Sequence, residues 1–64
     1  MKYRDLVKML EAAGWYMARQ GATSHMVFRH AMRPGAIVVA GGGKLGRDVP
    51  KGTENAILRQ AGLK

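Results

Sequence analysis

The arrangement of the chain is decided by residues 24–40, which read SHMVFRHAMRPGAIVVA. Polar and apolar side chains alternate around Val27, which is typical of a β-strand that ends near His30. Residues 32–35 predict a turn, because proline favours the first central position of a turn and glycine tolerates a positive φ. The apolar run at residues 36–40 predicts the next strand. Two neighbouring antiparallel strands are therefore expected at the centre of the chain.

Upstream of this stretch, the sequence predicts one more strand and a helix. Residues 15–20 mix aromatic and long side chains and precede Gly21-Ala22-Thr23, a predicted turn, so they should form a β-hairpin with the strand that follows. A helix is predicted over about residues 3–13, where apolar side chains recur every three or four residues and Gly14 follows as a natural stop. The members of this apolar stripe are Tyr3, Leu6, Val7, Leu10 and Ala13.

Downstream, the sequence predicts a surface loop and a second helix. Residues 41–46 should form the loop, because glycine-rich segments lose much entropy in a strand. The helix is predicted to begin near Thr53, a good N-cap, with Glu54 in its first turn, and to end at Gly62. Its buried face should consist of Ile57, Leu58 and Ala61. The order α-β-β-β-α predicts an α+β fold, a three-stranded antiparallel sheet with two helices on one face.

Length and charge restrict the class of protein. Sixty-four residues predict one domain spanning residues 1–64. A domain this small buries only about 60% of the surface of its unfolded chain, so a deep substrate cavity is not expected. Eleven Lys and Arg against four Asp and Glu give a net charge of +7. This excess favours a polyanionic partner, nucleic acid before a membrane surface.

Several classes of site and location are disfavoured. The chain has no cysteine, which excludes disulfides, thiolate catalysis and cysteine-bound zinc and fits a reducing compartment. No stretch is long enough to span a bilayer and the N-terminal residues are charged, so we expect a cytoplasmic protein without membrane contact. The four carboxylates are scattered and predict no metal site, and no cofactor is expected. Residues 41–46 lack the spacing of a nucleotide-binding P-loop, since Leu45 follows Lys44.

Three pieces of sequence, in this order and spacing, resemble one known family. They are residues 10–15 (LEAAGW), Ser24-His25 with Phe28 three residues later, and Gly52-Thr53 followed by residues 57–63 (ILRQAGL). The chain resembles the HicA family of messenger-RNA-cleaving toxins from about Leu6 to Leu63. The resemblance implies a double-stranded-RNA-binding-domain-like fold, a toxin ribonuclease and a HicB-like antitoxin partner.

The resemblance also implies a catalytic residue. In that family the histidine of a Gly-Ser-His segment is associated with RNA cleavage, and the matching position here is His25. The chain departs from the family pattern in two places. Thr23 stands where the family has glycine, and residues 39–42 (VAGG) stand where many members have Val-Pro-x-His. No second histidine is therefore available after the third strand.

Few residues of the chain could carry out metal-independent cleavage of RNA. The 2′-hydroxyl must lose a proton, the leaving 5′-oxygen must gain one, and cations must stabilise the charge on phosphate. His25 and His30 lie five residues apart on one predicted strand. The odd spacing places them on opposite faces with backbones about 16 Å apart, which disfavours an acid–base pair. We expect His25 to face solvent as the general base or acid, with Arg19, Arg29 and Lys44 binding phosphates of the messenger RNA.

The same residues allow other interpretations. From spacing alone, an exposed histidine on a strand is an ordinary surface residue, and the resemblance is what favours catalysis. Trp15 and Tyr16 could stack on bases, but one of two adjacent strand residues should face the core, which argues against stacking by Trp15. A non-catalytic RNA-binding module would need the same fold and charge. A protein-interaction domain that pairs its exposed sheet edge with a partner strand is a further alternative.

Overall fold

The computed structural model describes residues 1–20, 25–40 and 45–64, and it has the predicted order of elements. The elements are α1 (Tyr3–Ala12), β1 (Trp15–Gln20), β2 (Met26–His30), β3 (Arg33–Val39) and α2 (Lys51–Gln60). The three strands form one antiparallel sheet in the order β1-β2-β3, so β2 is central. The predicted turn at residues 21–23 and most of the predicted loop, residues 41–44, lie outside the described residues.

One face of the sheet packs against both helices and forms the core. The apolar stripe of α1 contributes Leu6 and Leu10, with Tyr3, Val7 and Ala13 packed beside them. From α2, the predicted face of Ile57, Leu58 and Ala61 is buried. The strands contribute alternate residues to the same cluster: Trp15 from β1, Met26 and Phe28 from β2, and Ile37 and Val39 from β3. The predicted two helices on one face of the sheet are therefore confirmed.

Helix α1 ends where the sequence predicts. Ala13 is its C-cap, and Gly14 has a φ of 97°, a conformation that favours glycine. The Gly14 N–H donates to the Glu11 carbonyl at 3.0 Å. A Cβ at this position would lie 2.6 Å from Nε2 of His30. Glycine is thus required both by the backbone and by the close approach of β2.

The turn between β2 and β3 is shorter than predicted. The sequence predicts it at residues 32–35, but the turn lies at Ala31-Met32 and β3 already begins at Arg33. Three residues of β3, Pro34 to Ala36, stand opposite the single Arg29 of β2 and form a bulge. An edge strand tolerates proline, which donates no hydrogen bond to a ladder, and Gly35 with a φ of 83° accommodates the bulge.

Helix α2 begins earlier than predicted, at Lys51. Its N-cap is Pro50 rather than Thr53, and no side chain caps it. The backbone before the helix is fixed instead, because Val49 is buried and its N–H donates to the Met1 carbonyl at 2.8 Å. Pro50 then accepts the first helical hydrogen bond, from the Glu54 N–H at 2.9 Å. Glu54 does lie in the first turn, as predicted.

The end of α2 is the predicted glycine stop. Gly62 has a φ of 77° and donates its N–H to the Arg59 carbonyl at 3.1 Å. The next N–H, that of Leu63, donates to the Leu58 carbonyl at 2.8 Å. These two hydrogen bonds form a Schellman motif, which satisfies carbonyls that the helix itself leaves unpaired.

Candidate nucleic-acid interface

The sheet face that carries no helix is the candidate interface, and we call it the outer face. The strand register places Tyr16 of β1 opposite Arg29 of β2, and Arg19 of β1 opposite Val27. Val27 in turn stands opposite Val38 of β3. All five side chains therefore lie on the same side of the sheet, because directly opposed residues share a face. Tyr16 and Val38 are 53% and 55% exposed, and both arginines are exposed.

Arg19 reaches the outer face through an irregularity of β1. Strict alternation from the buried Trp15 would place Met17 and Arg19 on the helix side. The register shifts between Met17 and Arg19, so that Ala18 is an extra residue and Arg19 stands opposite Val27. A β-bulge redirects a side chain in this way. The sequence predicts that Arg19 lies on the strand beside β2, but nothing in its alternation marks the bulge.

His25 immediately precedes β2 and is exposed. The next residue, Met26, is buried against the helices. The sequence predicts His25 within this strand, but β2 begins one residue later, at Met26. The predicted solvent-facing position of this histidine agrees with the structure. Arg19 and Arg29 belong to the outer face, and His25 is exposed directly before β2, whereas Lys44 lies outside the described residues.

His30 has a different environment, on the helix side of the sheet. Its Nδ1 accepts a hydrogen bond from the Met32 N–H at 2.9 Å, and its Nε2 lies 2.9 Å from the Ala13 carbonyl. Since Nδ1 accepts, Nε2 carries the hydrogen and donates a hydrogen bond to the Ala13 carbonyl. The ring also contacts Trp15 edge-to-face with centroids 5.2 Å apart. His30 thus joins the end of α1 to the β2–β3 turn on the helix side of the sheet.

The two adjacent aromatic residues of β1 have opposite environments. Trp15 is 3% exposed, and its Nε1 donates to the Ala61 carbonyl at 3.4 Å. It is therefore unable to stack on a base, as the sequence indicates. Tyr16 presents its ring on the outer face beside Arg29. The sequence offers both aromatic residues as candidates for base stacking, and the alternation that buries Trp15 exposes Tyr16.

Charge is distributed unevenly between the sheet and the helices. The strands contain Arg19, Arg29 and Arg33 and no carboxylate. The four acidic residues lie in the helices or just before α2: Asp5, Glu11, Asp48 and Glu54. Among the described residues, the ion pairs involve the Met1 amino group, Lys2 and Lys51, and none includes an arginine. The arginines of the outer face are therefore available to an anionic ligand.

Two kinds of feature are absent from the described residues. No helix in residues 1–20, 25–40 or 45–64 combines the length and apolar character that crossing a membrane requires. In that same part of the chain, no three His, Cys, Asp or Glu side chains come together as a metal site.

Comparison with known proteins identifies the family. The family model described as the HicA toxin of bacterial toxin–antitoxin systems matches residues 3–63, nearly the whole chain. No curated protein and no solved structure matches the chain significantly. The α-β-β-β-α architecture is consistent with the double-stranded-RNA-binding-domain-like fold that the resemblance implies. The chain therefore belongs to the HicA toxin family of bacterial toxin–antitoxin systems.

Proposed function

We propose that residues 1–64 form a single toxin domain that cleaves messenger RNA as a metal-independent endoribonuclease in the cytoplasm. His25 is the catalytic residue, and Arg19, Arg29 and Lys44 bind phosphates. The observation that carries this proposal is the exposed histidine directly before β2, the strand that carries Arg29 on the outer face. Membership of the HicA toxin family supports the toxin role.

The cleavage step needs two proton transfers and a stabilised phosphate. The 2′-oxygen loses its proton and forms a bond to phosphorus, while the bond from phosphorus to the 5′-oxygen breaks and that oxygen gains a proton. Histidine is suited to such transfers near neutral pH, and His25 carries out one of them. Arg19 and Arg29 stabilise the charge that develops on the phosphate oxygens. His30 takes no part, because both of its ring nitrogens are engaged in hydrogen bonds.

The test is cleavage of a long single-stranded RNA in the presence of EDTA. Wild type, His25→Ala and a control, Met32→Ala, are purified in parallel; Met32 is 85% exposed in the β2–β3 turn. We expect wild type and the control to cleave and His25→Ala to leave the RNA intact. Because His25 is exposed, the melting temperatures should agree. Undiminished cleavage by His25→Ala would overturn its catalytic role.

We further propose that a HicB-like antitoxin covers the outer face and His25. An inhibitor of so basic a surface is expected to be acidic where it binds, which gives fast association that slows as salt is added. Association of the cognate antitoxin, measured at low and high salt, checks this. Arg29→Glu should lower the association rate, whereas Arg59→Glu, on α2, should not. An association rate that changes neither with salt nor with Arg29→Glu would contradict this arrangement.

A non-catalytic RNA-binding module is the second candidate function. It is favoured by the commitment of His30 to structural hydrogen bonds, which leaves one histidine for two proton transfers. The same cleavage assay separates the two functions. Binding of RNA without cleavage, unchanged in His25→Ala, would favour the module.

A further inference from the structure

We propose that Tyr16 stacks on an unpaired base of the RNA and that the outer face therefore selects single-stranded substrate. This inference rests on the proposed RNA-cleaving function and adds to it a residue and a form of the substrate. It starts from the position of Tyr16, which is 53% exposed on an open sheet while the adjacent Trp15 is 3% exposed. Burial in the core therefore does not account for an aromatic residue at this position.

The surroundings of Tyr16 suit a flat ligand. Arg29 stands directly opposite it, and Val27 lies two residues further along β2, beside Val38. An aromatic ring, a guanidinium group and the short apolar side chains of two valines therefore lie together on one open sheet. Bases are recognised on such surfaces by stacking on aromatic rings and on arginine, and sequence-tolerant binding follows because every base has a π face.

Single-stranded RNA is the form of nucleic acid that fits these features. In a duplex the bases are stacked on one another, so the outer face could contact only phosphates and 2′-hydroxyls. An unpaired strand can place a base on Tyr16 while its phosphates contact Arg19 and Arg29. The absence of carboxylates from the described strands makes the face complementary to a polyanion.

Tyr16 and His25 do not act at the same nucleotide. Arg29 is four residues beyond His25, a distance of about 13 Å along an extended chain, and Tyr16 is on the far side of Arg29 on β1. A base stacked on Tyr16 therefore belongs to a different nucleotide from the one that is cleaved. We expect loss of the ring to raise KM for RNA with a smaller effect on kcat.

The experiment measures RNA binding in a His25→Ala background, so that no RNA is cleaved. A labelled single-stranded oligonucleotide and its duplex are titrated with this parent and with two variants at position 16. Tyr16→Phe retains the ring, and Tyr16→Thr removes it while keeping a residue that favours strands. Met32→Ala in the same background is the control, because Met32 is exposed but lies in the β2–β3 turn. Circular dichroism melts verify folding.

The expected result has three parts. Tyr16→Thr should weaken binding of the single strand about tenfold or more, which is the range of base–aromatic stacking. Tyr16→Phe and Met32→Ala should bind like the parent. Binding of the duplex should be weaker and should not depend on position 16. The KM of a cleaving protein should rise in Tyr16→Thr and stay unchanged in Tyr16→Phe.

Other outcomes overturn the inference. Equal binding of the single strand by parent and Tyr16→Thr would exclude stacking, and an equal loss in Tyr16→Phe would assign the effect to the hydroxyl group. If Tyr16→Thr weakens only the antitoxin complex, the face binds protein rather than bases. Failure of the proposed catalysis gives a different pattern, since wild type would then not cleave although binding still depended on the ring.

Discussion

Among single residues, Gly14 meets two constraints at once. Its φ is 97°, and a Cβ would lie 2.6 Å from Nε2 of His30. We expect Gly14→Ala to lower the free energy of unfolding by about 1–3 kcal/mol through backbone strain. Displacement of the His30 ring from the Ala13 carbonyl should remove about 1 kcal/mol more. Urea unfolding measures the total.

Gly35→Ala is the matched control for that substitution. Gly35 also has a positive φ, 83°, but nothing lies within 4 Å of the position its Cβ would take. Gly35→Ala therefore introduces backbone strain without a steric clash, and it should lower the free energy of unfolding less than Gly14→Ala does. Equal decreases would show that the approach of His30 to Gly14 contributes nothing.

The two histidines should differ in their effect on stability. His30→Ala removes the partner of the Met32 N–H and of the Ala13 carbonyl, which should lower the free energy of unfolding by about 1–3 kcal/mol. His25→Ala, at an exposed position, should change it by no more than about 0.5 kcal/mol. Thermal or urea unfolding of both variants checks the difference. The reverse order would contradict the assigned positions.

The environments of the histidines show how far single residues are predictable from sequence. Their odd spacing predicts opposite faces, because strand geometry is local and regular. The two hydrogen bonds of His30 were not predicted. One of them depends on Ala13, which is distant in sequence and comes close only when α1 packs beside the sheet. Contacts of this kind require the tertiary structure.

Among the secondary-structure elements, the start of α2 gives a direct test of the corrected boundary. Thr53 has the residue type of an N-cap, and removal of a capping side chain typically costs about 1 kcal/mol. In the structure the N-cap is Pro50 and no side chain caps the helix. Thr53→Ala should therefore change the free energy of unfolding by less than about 0.5 kcal/mol. A decrease near 1 kcal/mol, measured by urea unfolding, would restore Thr53 as the cap.

Helices and strands were predicted well where their sequence pattern lies in neighbouring residues, and poorly where the structure depends on how two strands pair. Patterns in neighbouring residues predict the apolar stripe of α1, the helix ends at Gly14 and Gly62 and the alternation of β2. All of these predictions were confirmed. The early start of β3 was missed because Pro34 and Gly35 are turn formers that here accommodate a bulge on an edge strand. The bulge at Ala18 was missed because it exists only in the register with β2.

For the whole molecule, the sequence predicts the net charge but not how the charged side chains are distributed over the surface. The value of +7 follows from composition, and so does the preference for a polyanionic partner. The separation of charge follows from topology: the helices cover one face of the sheet, the carboxylates lie in the helices or just before α2, and Arg19 and Arg29 lie on the other face.

The salt dependence of RNA binding tests whether the outer face or the total charge carries the interaction. Removing one cation that pairs with a phosphate should reduce the slope of log Kobs against log salt by roughly 0.7 for a single strand. Arg19→Gln with Arg29→Gln should therefore reduce it by about 1.4. Lys8→Gln with Arg59→Gln removes the same charge from the exposed sides of α1 and α2 and should leave the slope nearly unchanged. Equal reductions in both pairs would mean that RNA responds to net charge alone and has no preferred face.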